Sequence, residues 1–428
     1  MTTPLRLGIA GLGTVGVGVV KIVRQKASLL ASRTGREVTI SAISARSRTK
    51  DRGVSLTGYA WEDDPIALAK RDDVDVFVEL MGGDKGPAKA STEAALTAGK
   101  DVVTANKALL AHHGQALAET AEAAGQVIRF EAAVAGGIPV IKALSEGLAG
   151  NEITRIMGVM NGTCNYILTR MQDAGLSYAE VFEEANQLGY LEADPNLDVG
   201  GIDAGHKLSL LSSIAFGTRV NFGSVELEGI QRISIEDILQ AEDLGFKIKL
   251  LGVAQMTGRG LEQRMSPCLV PVDSPLGQLT GGTNMVVIEG DAVEQIVLRG
   301  PGAGEGPTAS AVMGDICDLA RGFRQPTFGM PAKDLTAANT AQSNSPAPFY
   351  LHLTLQDRPG ALAKIAAALG EHGISIDRMR QTRHNDTAAP VLIVTHRTQR
   401  AGLDAAIHAM QASGVMAADP VALRIETA

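Results

Sequence analysis

The densest group of ionisable side chains in the sequence lies between Gly189 and Lys207 and includes Glu192, Asp198 and Asp203. Asp203 and Lys207 are four residues apart, a spacing that places two side chains on one face of a helix. Spacing alone is more typical of a solvated ion pair at the start of a helix. The environment of the lysine must therefore decide between these interpretations.

The apolar residues that follow Lys207 favour a functional role. Leu210, Leu211 and Ile214 continue its helix face as a hydrophobic stripe, so its ammonium group is predicted at the edge of an apolar surface. Desolvation there favours release of the proton, and a neighbouring carboxylate can orient the side chain. A lysine in that setting can protonate a developing alkoxide, so the cluster predicts proton-transfer chemistry.

A second motif is the glycine loop at residues 11–16, GLGTVG, which follows an apolar run and opens a helix-like segment. Backbone N–H groups at such a helix start can hold a pyrophosphate. The motif alone is weakly specific, because a glycine turn also serves close packing of strand and helix. Its position favours a nicotinamide dinucleotide site, with contacts expected from Gly11, Gly13, Thr14, Val15 and Gly16.

The end of the second predicted strand bears on which dinucleotide is bound. A site selective for NAD usually has Asp or Glu there to bind the ribose 2′-hydroxyl. This chain has Arg46 and Arg48 instead. Two guanidinium groups suit a 2′-phosphate, so NADP is preferred and NAD stays possible. The alternative is that both arginines are solvated surface charges.

The segment from Thr104 to Lys107 follows a later predicted strand. It lies at the carboxyl edge, where open α/β sheets bind ligands. We expect Thr104 and Lys107 to contribute to the cofactor and reaction site. On position alone, Lys107 is equally well interpreted as a surface lysine that starts a helix.

Composition excludes several classes of function. The net charge of −8 and the lack of a long Lys/Arg cluster argue against binding of nucleic acid or of an anionic membrane. The three cysteines form no CxxC pair, and the eight histidines form no HExxH motif, so no disulfide framework or zinc site is indicated. No export signal or apolar run of roughly 18 residues is present. We expect a cytoplasmic protein that acts on a small molecule.

The predicted elements divide the chain into four parts. Strands and helices alternate in residues 1–135, which indicates an α/β unit with a Rossmann-like, doubly wound parallel sheet. Residues 136–324 mix longer helices with strands and are predicted to be an α+β substrate domain. Residues 325–348, rich in Pro, Ala, Ser, Thr and Asn, are predicted to be a connector. Residues 349–428 have the order βαββαβ of a ferredoxin-like sheet.

Four motifs taken together resemble the homoserine dehydrogenase family. They are the glycine loop, the segment from Thr104 to Lys107, the run NGTCNYIL from Asn161 to Leu168, and the cluster from Gly189 to Lys207. The resemblance implies reversible, NAD(P)-dependent interconversion of L-homoserine and L-aspartate 4-semialdehyde in threonine and methionine biosynthesis. It also implies that the substrate domain takes part in dimerisation.

The resemblance further implies a role for each residue of the cluster. Lys207 would donate a proton to the carbonyl oxygen as hydride arrives from the nicotinamide, and Lys107 would assist it. Asp198 and Asp203 would orient substrate and lysine, while Glu192 would bind the substrate's ammonium end. The implied substrate contacts are Gly189, Glu192, Asp198 and Asp203.

Two glycine-containing segments gain a role only from the resemblance. Taken alone, the segment from Phe130 to Pro139 is a hinge between domains. It resembles the family's site for a monovalent cation such as sodium, formed by carbonyl groups around Glu131, Val134, Gly136 and Ile138. The loop from Gly300 to Gly306 resembles a second cofactor contact, at Gly304.

The segment that begins at Phe349 contains the run DRPGAL, residues 357–362, and is similar to the ACT family of amino-acid-sensing modules. Such modules usually pair through their sheets. The resemblance therefore implies a homo-oligomer, dimer or tetramer, with threonine as the expected effector. The alternative is a dimerisation unit that binds no ligand.

Two other functions stay open at this point. One is a regulatory protein that keeps a dehydrogenase fold and only senses amino acids. The other is a dehydrogenase of another amino-acid semialdehyde. Lys107, Glu192, Asp203 and Lys207 speak against the first, because a sensor does not need them together. The leading hypothesis is an NADP-preferring homoserine dehydrogenase regulated through its C-terminal module.

Overall fold

The computed structural model describes residues 3–191, 194–381 and 388–427. The strands are β1 (Leu5–Ala10), β2 (Val38–Ser44), β3 (Ala60–Glu62), β4 (Val76–Glu79), β5 (Asp101–Thr104), β6 (Ile128–Arg129), β7 (Ile153–Val159), β8 (Glu226–Leu227), β9 (Phe246–Thr257), β10 (Gly260–Pro271), β11 (Thr283–Gly290), β12 (Glu294–Pro301), β13 (Phe349–Gln356), β14 (Ile376–Gln381), β15 (Ala388–Thr395) and β16 (Val421–Ile425). The helices are α1 (Thr14–Gln25), α2 (Ala27–Thr34), α3 (Pro65–Lys70), α4 (Pro87–Thr97), α5 (Lys107–Ala123), α6 (Val140–Lys142), α7 (Gly162–Ala174), α8 (Tyr178–Gln187), α9 (Pro195–Val199), α10 (Ile202–Phe216), α11 (Ile235–Asp243), α12 (Glu305–Ala320), α13 (Ala361–Glu371) and α14 (Arg400–Ala412). No helix in these ranges is long and apolar enough to cross a membrane.

The first part of the chain forms a six-stranded parallel sheet in the order β3-β2-β1-β4-β5-β6. The predicted Rossmann-like sheet is therefore confirmed. The strand order reverses between β1 and β4, and open α/β sheets bind ligands at the carboxyl ends of such strands. The glycine loop follows β1 directly, so it lies at this point.

The helix predicted after the glycine loop is two helices. α1 buries Val17, Val19, Val20 and Val23 against the sheet, whereas α2 buries only Leu30. The backbone leaves the helical region at residue 26, between the two helices. Continuous apolar spacing over this segment concealed the break.

Helix α12 returns the chain to the first sheet. Ala309, Val312 and Ile316 belong to the same buried cluster as Leu7 of β1. Gly18 allows α1 and α12 to touch, because a Cβ there would lie 2.9 Å from the Cβ of Ala309. A helix within residues 136–324 thus completes the core of the parallel sheet, and the predicted domain boundaries stay predictions.

The second sheet is mixed and has the order β12-β11-β7-β9-β10-β16-β13-β15-β14, with β8 beside β10. Its last four strands, with α13 and α14, form the predicted βαββαβ module. The C-terminal strand β16 pairs in parallel with β10, with Cys268 opposite Arg424 and Leu269 opposite Ile425. One sheet therefore runs from the substrate domain into the C-terminal module.

The predicted connector packs against the rest of the protein and does not extend into solvent. Phe328, Ala332 and Leu335 are buried. Further along, the carbonyl oxygen of Asn339 accepts a hydrogen bond of 2.7 Å from the backbone N–H of Leu261. These contacts fix the route by which the chain reaches the C-terminal module.

Candidate active site

Two lysines meet one buried aspartate at the N-terminal ends of α5 and α10. Asp203 is 6% exposed. Its Oδ2 lies 2.6 Å from Nζ of Lys207, and its Oδ1 lies 2.8 Å from Nζ of Lys107. Lys207 also donates a hydrogen bond of 2.8 Å to the carbonyl oxygen of Met160. The structure therefore brings together both lysines that the sequence analysis selected.

The charge state of Asp203 follows from these contacts. Burial disfavours its ionised form, but the two ammonium groups outweigh this effect and hold the pKa of the carboxyl well below its usual range. Asp203 is therefore an anion across the physiological pH range. In this state it forms an ion pair with each of the two lysines.

Asp198 lies on α9 and is tied to the motif that begins at Asn161. The amide Nδ2 of Asn161 donates a hydrogen bond of 2.9 Å to Oδ1 of Asp198. Oδ1 of Asn161 caps α7 by accepting a 2.8 Å bond from the backbone N–H of Cys164, whose thiol contacts the carbonyl oxygen of Asp198 at 3.3 Å. The run NGTCNYIL thus positions Asp198, a function that the sequence analysis did not assign to it.

The remaining predicted substrate residues lie before α9. Gly189 follows α8 with a φ of +74°, a left-handed conformation that favours glycine. The next residue, Tyr190, accepts a hydrogen bond of 3.0 Å at its carbonyl oxygen from Thr163, and its ring stacks on Tyr166. Glu192, the predicted ligand of the substrate's ammonium group, lies outside the described residues.

The three glycines of the loop at residues 11–16 have different surroundings, and each surrounding explains in its own way why the position is glycine. A Cβ on Gly11 would lie 2.4 Å from the carbonyl oxygen of Leu80, and one on Gly16 would lie 2.0 Å from that of Gly11. A Cβ on Gly13 would meet no atom within 4 Å. Gly13 and the first turn of α1, with Thr14 and Val15, therefore offer backbone N–H groups and open space that fit a pyrophosphate.

Glu79, at the end of β4, is a site residue that the sequence analysis missed. It is fully buried, and its Oε1 accepts hydrogen bonds from the backbone N–H groups of Met81, at 2.7 Å, and Gly82, at 3.2 Å. Its Oε2 accepts a 2.7 Å bond from the hydroxyl of Thr104. Glu79 therefore joins the loops that follow β4 and β5. The sequence feature that could have identified Glu79 is a single carboxylate at the end of an apolar strand.

Thr104 was predicted to contact the cofactor, and in the structure its side chain forms hydrogen bonds within the protein. Its hydroxyl donates to Glu79 and accepts a 2.9 Å hydrogen bond from the backbone N–H of Asn106. Asn106 in turn caps α5 at Leu109 and donates a 2.7 Å bond to the carbonyl oxygen of Gly83. The side chain of Thr104 thus shapes the loop that presents Lys107.

The two predicted arginines lie after β2, near the glycine loop. Arg46 and Arg48 are exposed. Arg48 pairs with Asp63, with 3.2 Å between Nε and Oδ1, and its guanidinium lies 5.4 Å from the ring centroid of Trp61. Arg46 is the more available of the two for an anionic ligand.

Arg52 was not predicted, although it connects this basic edge to the glycine loop. Its guanidinium donates hydrogen bonds to the carbonyl oxygens of Leu12, at 3.1 Å, and Ser47, at 2.6 Å. The segment after β2 is therefore held directly beside the loop. An arginine in a polar stretch gave no sequence signal that distinguished it from surface charge.

The predicted cation segment has a buried carboxylate with another task. Both oxygens of Glu131 accept 2.9 Å hydrogen bonds, from the backbone N–H groups of Ile141 and Lys142. Burial, with Asp315 nearby, raises the pKa of Glu131 to about 7. The side chain thus caps α6, which leaves the main chain of residues 131–138 as the possible source of cation ligands.

Main-chain oxygens in this segment fit such a ligand. Val134 and Gly136 are buried, and no residue in the described ranges donates a hydrogen bond to either carbonyl oxygen. The carbonyl of Ile138 accepts a 2.8 Å bond from Val140. Buried carbonyl groups usually have a partner, and main-chain oxygens are suitable ligands for hard cations.

Gly304 lies close to this segment. A Cβ on Gly136 would lie 2.4 Å from the carbonyl oxygen of Gly302, and the backbone N–H of Gly137 donates a 3.0 Å bond to the carbonyl oxygen of Pro301. Gly304 itself has a φ of +117° and precedes the first turn of α12. The predicted cation segment and the predicted second cofactor contact therefore form one continuous surface.

Comparisons with known proteins decide the family. A family model described as homoserine dehydrogenase matches residues 139–317, and one described as homoserine dehydrogenase, NAD binding domain, matches residues 11–131. A homoserine dehydrogenase from Neisseria gonorrhoeae is 42% identical over 99% of both chains. The chain belongs to the homoserine dehydrogenase family. It is therefore an oxidoreductase with a nicotinamide dinucleotide domain, as the sequence analysis predicted.

Further relatives agree with this assignment. A homoserine dehydrogenase from Pseudomonas aeruginosa is 40% identical over 99% of both chains. The crystal structure of one from Thiobacillus denitrificans matches with a TM-score of 0.93 and 38% identity, over 99% of both chains. A hyperthermophilic archaeal homoserine dehydrogenase in complex with NADPH matches with a TM-score of 0.65 and 27% identity, over 76% of this chain and 100% of that one. The C-terminal module is confirmed by an ACT domain model over residues 350–412.

The glycine loop gives a matched pair of variants. Gly13→Ala should leave stability within about 1 kcal/mol of the parent, because its Cβ enters open space, but should weaken NADPH binding at least tenfold. Gly16→Ala should lower stability by about 1–3 kcal/mol, because its Cβ overlaps the oxygen of Gly11. Trp61, the only tryptophan, permits binding to be measured by energy transfer to the reduced nicotinamide. Equal NADPH affinity in Gly13→Ala and the parent would contradict this account.

Proposed function

We propose that Lys107, Asp203 and Lys207 form the catalytic centre for the reduction of L-aspartate 4-semialdehyde to L-homoserine and for the reverse oxidation. The observation that carries this proposal is the buried Asp203 carboxylate held between two ammonium groups. A carbonyl that gains hydride develops negative charge on its oxygen. Two adjacent cations suit that charge, and one of them must supply a proton.

Lys207 is the proposed proton donor. A lysine ammonium group has three N–H bonds. In Lys207 one is directed to Oδ2 of Asp203 and another to the carbonyl oxygen of Met160, which leaves the third for the substrate oxygen. When bound at the glycine loop, a reduced nicotinamide would provide the hydride that the carbonyl carbon accepts. Lys207 then gives its proton to the alkoxide, and in the oxidation direction the neutral amine takes the proton back.

The other residues of the cluster are proposed to position the substrate and to balance its charges. Lys107 is 31% exposed at its side chain, so it can approach the substrate oxygen while Asp203 holds it. Gly189, Glu192 and Asp198 are proposed substrate contacts. For Glu192 the proposal rests on the resemblance of the cluster to the homoserine dehydrogenase family, because this residue lies outside the described part of the chain.

Substitution of the two lysines tests this centre. Lys207→Met should lower kcat about 10²- to 10⁴-fold, the usual effect of losing general acid–base catalysis, while NADPH affinity is kept. Lys107→Met should lower kcat less. The measurement is NADPH oxidation with aspartate semialdehyde, and Lys333→Met, an exposed lysine of the connector, is the matched control. Near-normal turnover in Lys207→Met would remove the proton-donor role without removing the family assignment.

We further propose that the enzyme prefers NADP, with NAD as a weaker alternative. The support is the basic edge of Arg46 and Arg48 beside the glycine loop. Arg52 holds this edge in place through its bonds to Leu12 and Ser47. Guanidinium groups bind phosphate through strong charge-assisted hydrogen bonds, and the 2′-phosphate is what distinguishes NADP from NAD.

The double variant Arg46→Ala/Arg48→Ala tests the preference. The KM for NADPH should rise about tenfold or more, because a hydrogen bond to a charged group contributes roughly 1.5–3 kcal/mol. The KM for NADH should be unchanged, which makes NADH the internal control in the same protein. An equal change for both cofactors would show that the two arginines do not read the 2′-phosphate.

A monovalent cation, with sodium as the first candidate, is proposed at the carbonyl oxygens around Glu131, Val134, Gly136 and Ile138. The support is the pair of buried carbonyl groups, at Val134 and Gly136, to which no described residue donates a hydrogen bond. A cation there would fix the segment against the loop that contains Gly304. Its proposed function is structural support of the cofactor side of the site.

Thermal melting of the full chain tests the cation proposal. At constant ionic strength, replacing choline chloride by sodium chloride should raise the melting temperature progressively, because a ligand that binds only the folded state stabilises it. Potassium at the same concentration measures ion selectivity. Identical melting curves in sodium and choline would exclude the site.

The C-terminal module is proposed to bind an amino-acid effector, with threonine first, and the chain is proposed to form a homo-oligomer. In the described residues no strand pairs with the outer edge of β14, at the end of the long sheet. Met379 on this strand is 49% exposed between Arg378 and Arg380. An open strand edge is a natural surface for pairing with a second copy.

A further inference from the structure

A cavity of about 420 Å³ lies where the C-terminal module meets the substrate domain. We call it the junction cavity. Strands β8 and β10 line one side and residues of β13, β16 and α14 line the other, with Ser343 of the connector between them. We propose that the junction cavity binds the carboxylate of a small α-amino acid and is the effector site of this enzyme.

The floor of the junction cavity carries an excess of positive charge. Arg155, Arg264 and Arg424 all contact the carboxylate of Glu426, Arg424 through Nε at 2.6 Å. The second carboxylate near this group, that of Glu289, is 3.8 Å from Arg155. Arg264, Arg424 and Glu426 are each at most 9% exposed. Three guanidinium groups thus face two carboxylates, with Arg155 and Glu289 partly exposed, and one further anion would balance the charge of this cluster.

Unsatisfied donors lie in the same place. Arg264 lines the junction cavity and is 4% exposed. Its NH2 contacts Glu426, but its Nε and NH1 are buried and have no hydrogen-bond partner in the part of the chain that the structure describes. The buried hydroxyl of Ser343, also in the lining, lacks a partner in the same sense. Leaving such donors unpaired costs free energy, and a carboxylate is a strong acceptor for donors of this kind.

The mouth of the cavity has the opposite charge. Glu226 of β8 and Glu228, which follows this strand, are exposed there, and Oε1 of Glu226 accepts a 2.7 Å hydrogen bond from the backbone N–H of Ser343. Asp404 of α14 adds a third carboxylate, paired with Arg400 at 2.7 Å. A basic floor and an acidic mouth match the carboxylate and ammonium groups of a zwitterion better than they match an inorganic anion. The volume is within the usual range for a small ligand.

Strand β10 connects the junction cavity to the catalytic helix. Arg264 and Ser266 line the cavity, whereas Met265 between them faces the other side of the sheet. The Cγ of Met265 would lie 3.0 Å from a Cβ on Gly201, the residue that precedes α10. α10 carries Asp203 and Lys207. A ligand on Arg264 therefore binds one residue away from the side chain that supports the start of the catalytic helix.

The effector role rests on the amino-acid regulation proposed above, whereas binding can be measured independently of catalysis. The full chain is melted and titrated calorimetrically with a panel of small L-amino acids that includes L-threonine. L-Threoninol, which lacks the carboxylate, and inorganic phosphate are the ligand controls. At least one amino acid should bind and raise the melting temperature, and both controls should have no effect.

Three variants locate the binding site. Arg264→Gln should weaken amino-acid binding at least tenfold, and it leaves two arginines on Glu426. Ser266→Leu fills the cavity without touching the ion cluster and should have the same effect, so it decides the question if Arg264→Gln does not fold. Arg71→Gln, at the end of α3 in the first unit and paired with Asp73 at 2.7 Å, is the matched control and should bind normally.

Several results would overturn the proposal. They are no binding by any amino acid, binding of phosphate alone, and amino-acid binding that survives in Ser266→Leu. Turnover of aspartate semialdehyde without effector is measured on the same parent preparation. Absent turnover with intact amino-acid binding refutes the proposed catalytic centre alone. Normal turnover without binding refutes only the junction site.

Discussion

The carboxylate of Asp203 is the contact on which the arrangement of the active site depends. It holds Lys107, which begins a helix of the parallel-sheet unit, and Lys207, which lies on a helix packed on the mixed sheet. A single buried anion therefore links two structural units and positions the two cations between them. Its low pKa keeps this carboxylate ionised between the two lysines.

The second feature that organises the structure is strand β10, which contributes to two different surfaces. β10 supports the start of α10 with one face and lines the junction cavity with the other, while β16 of the C-terminal module pairs along its edge. The C-terminal module therefore continues the mixed sheet and does not form a separate domain on a flexible linker. Movement of that module must change the position of a strand that contacts the catalytic helix.

The sequence predicted features that depend on local spacing and missed those that depend on distant contacts. The parallel sheet, the ACT module and the pairing of Asp203 with Lys207 follow from periodicity and motif order. Burial of Glu79 and the bonds of Arg52 to the glycine loop depend on loops that meet only after folding, so single charged residues gave no signal. The return of α12 to the first sheet was unpredictable for the same reason. The assignment of carbonyl groups around Glu131 to a cation site stays a prediction, whereas the helix cap formed by the carboxylate of Glu131 was not predicted.

The position of α12 has a consequence for synthesis of the protein on the ribosome. Ala309, Val312 and Ile316 complete the core beneath β1, yet they are made about three hundred residues after it. The N-terminal unit therefore leaves the ribosome with an exposed apolar surface. That surface stays uncovered until most of the chain has been synthesised. Folding of this enzyme cannot proceed strictly from the first domain to the last, and an isolated N-terminal fragment is expected to require α12 in trans or to aggregate.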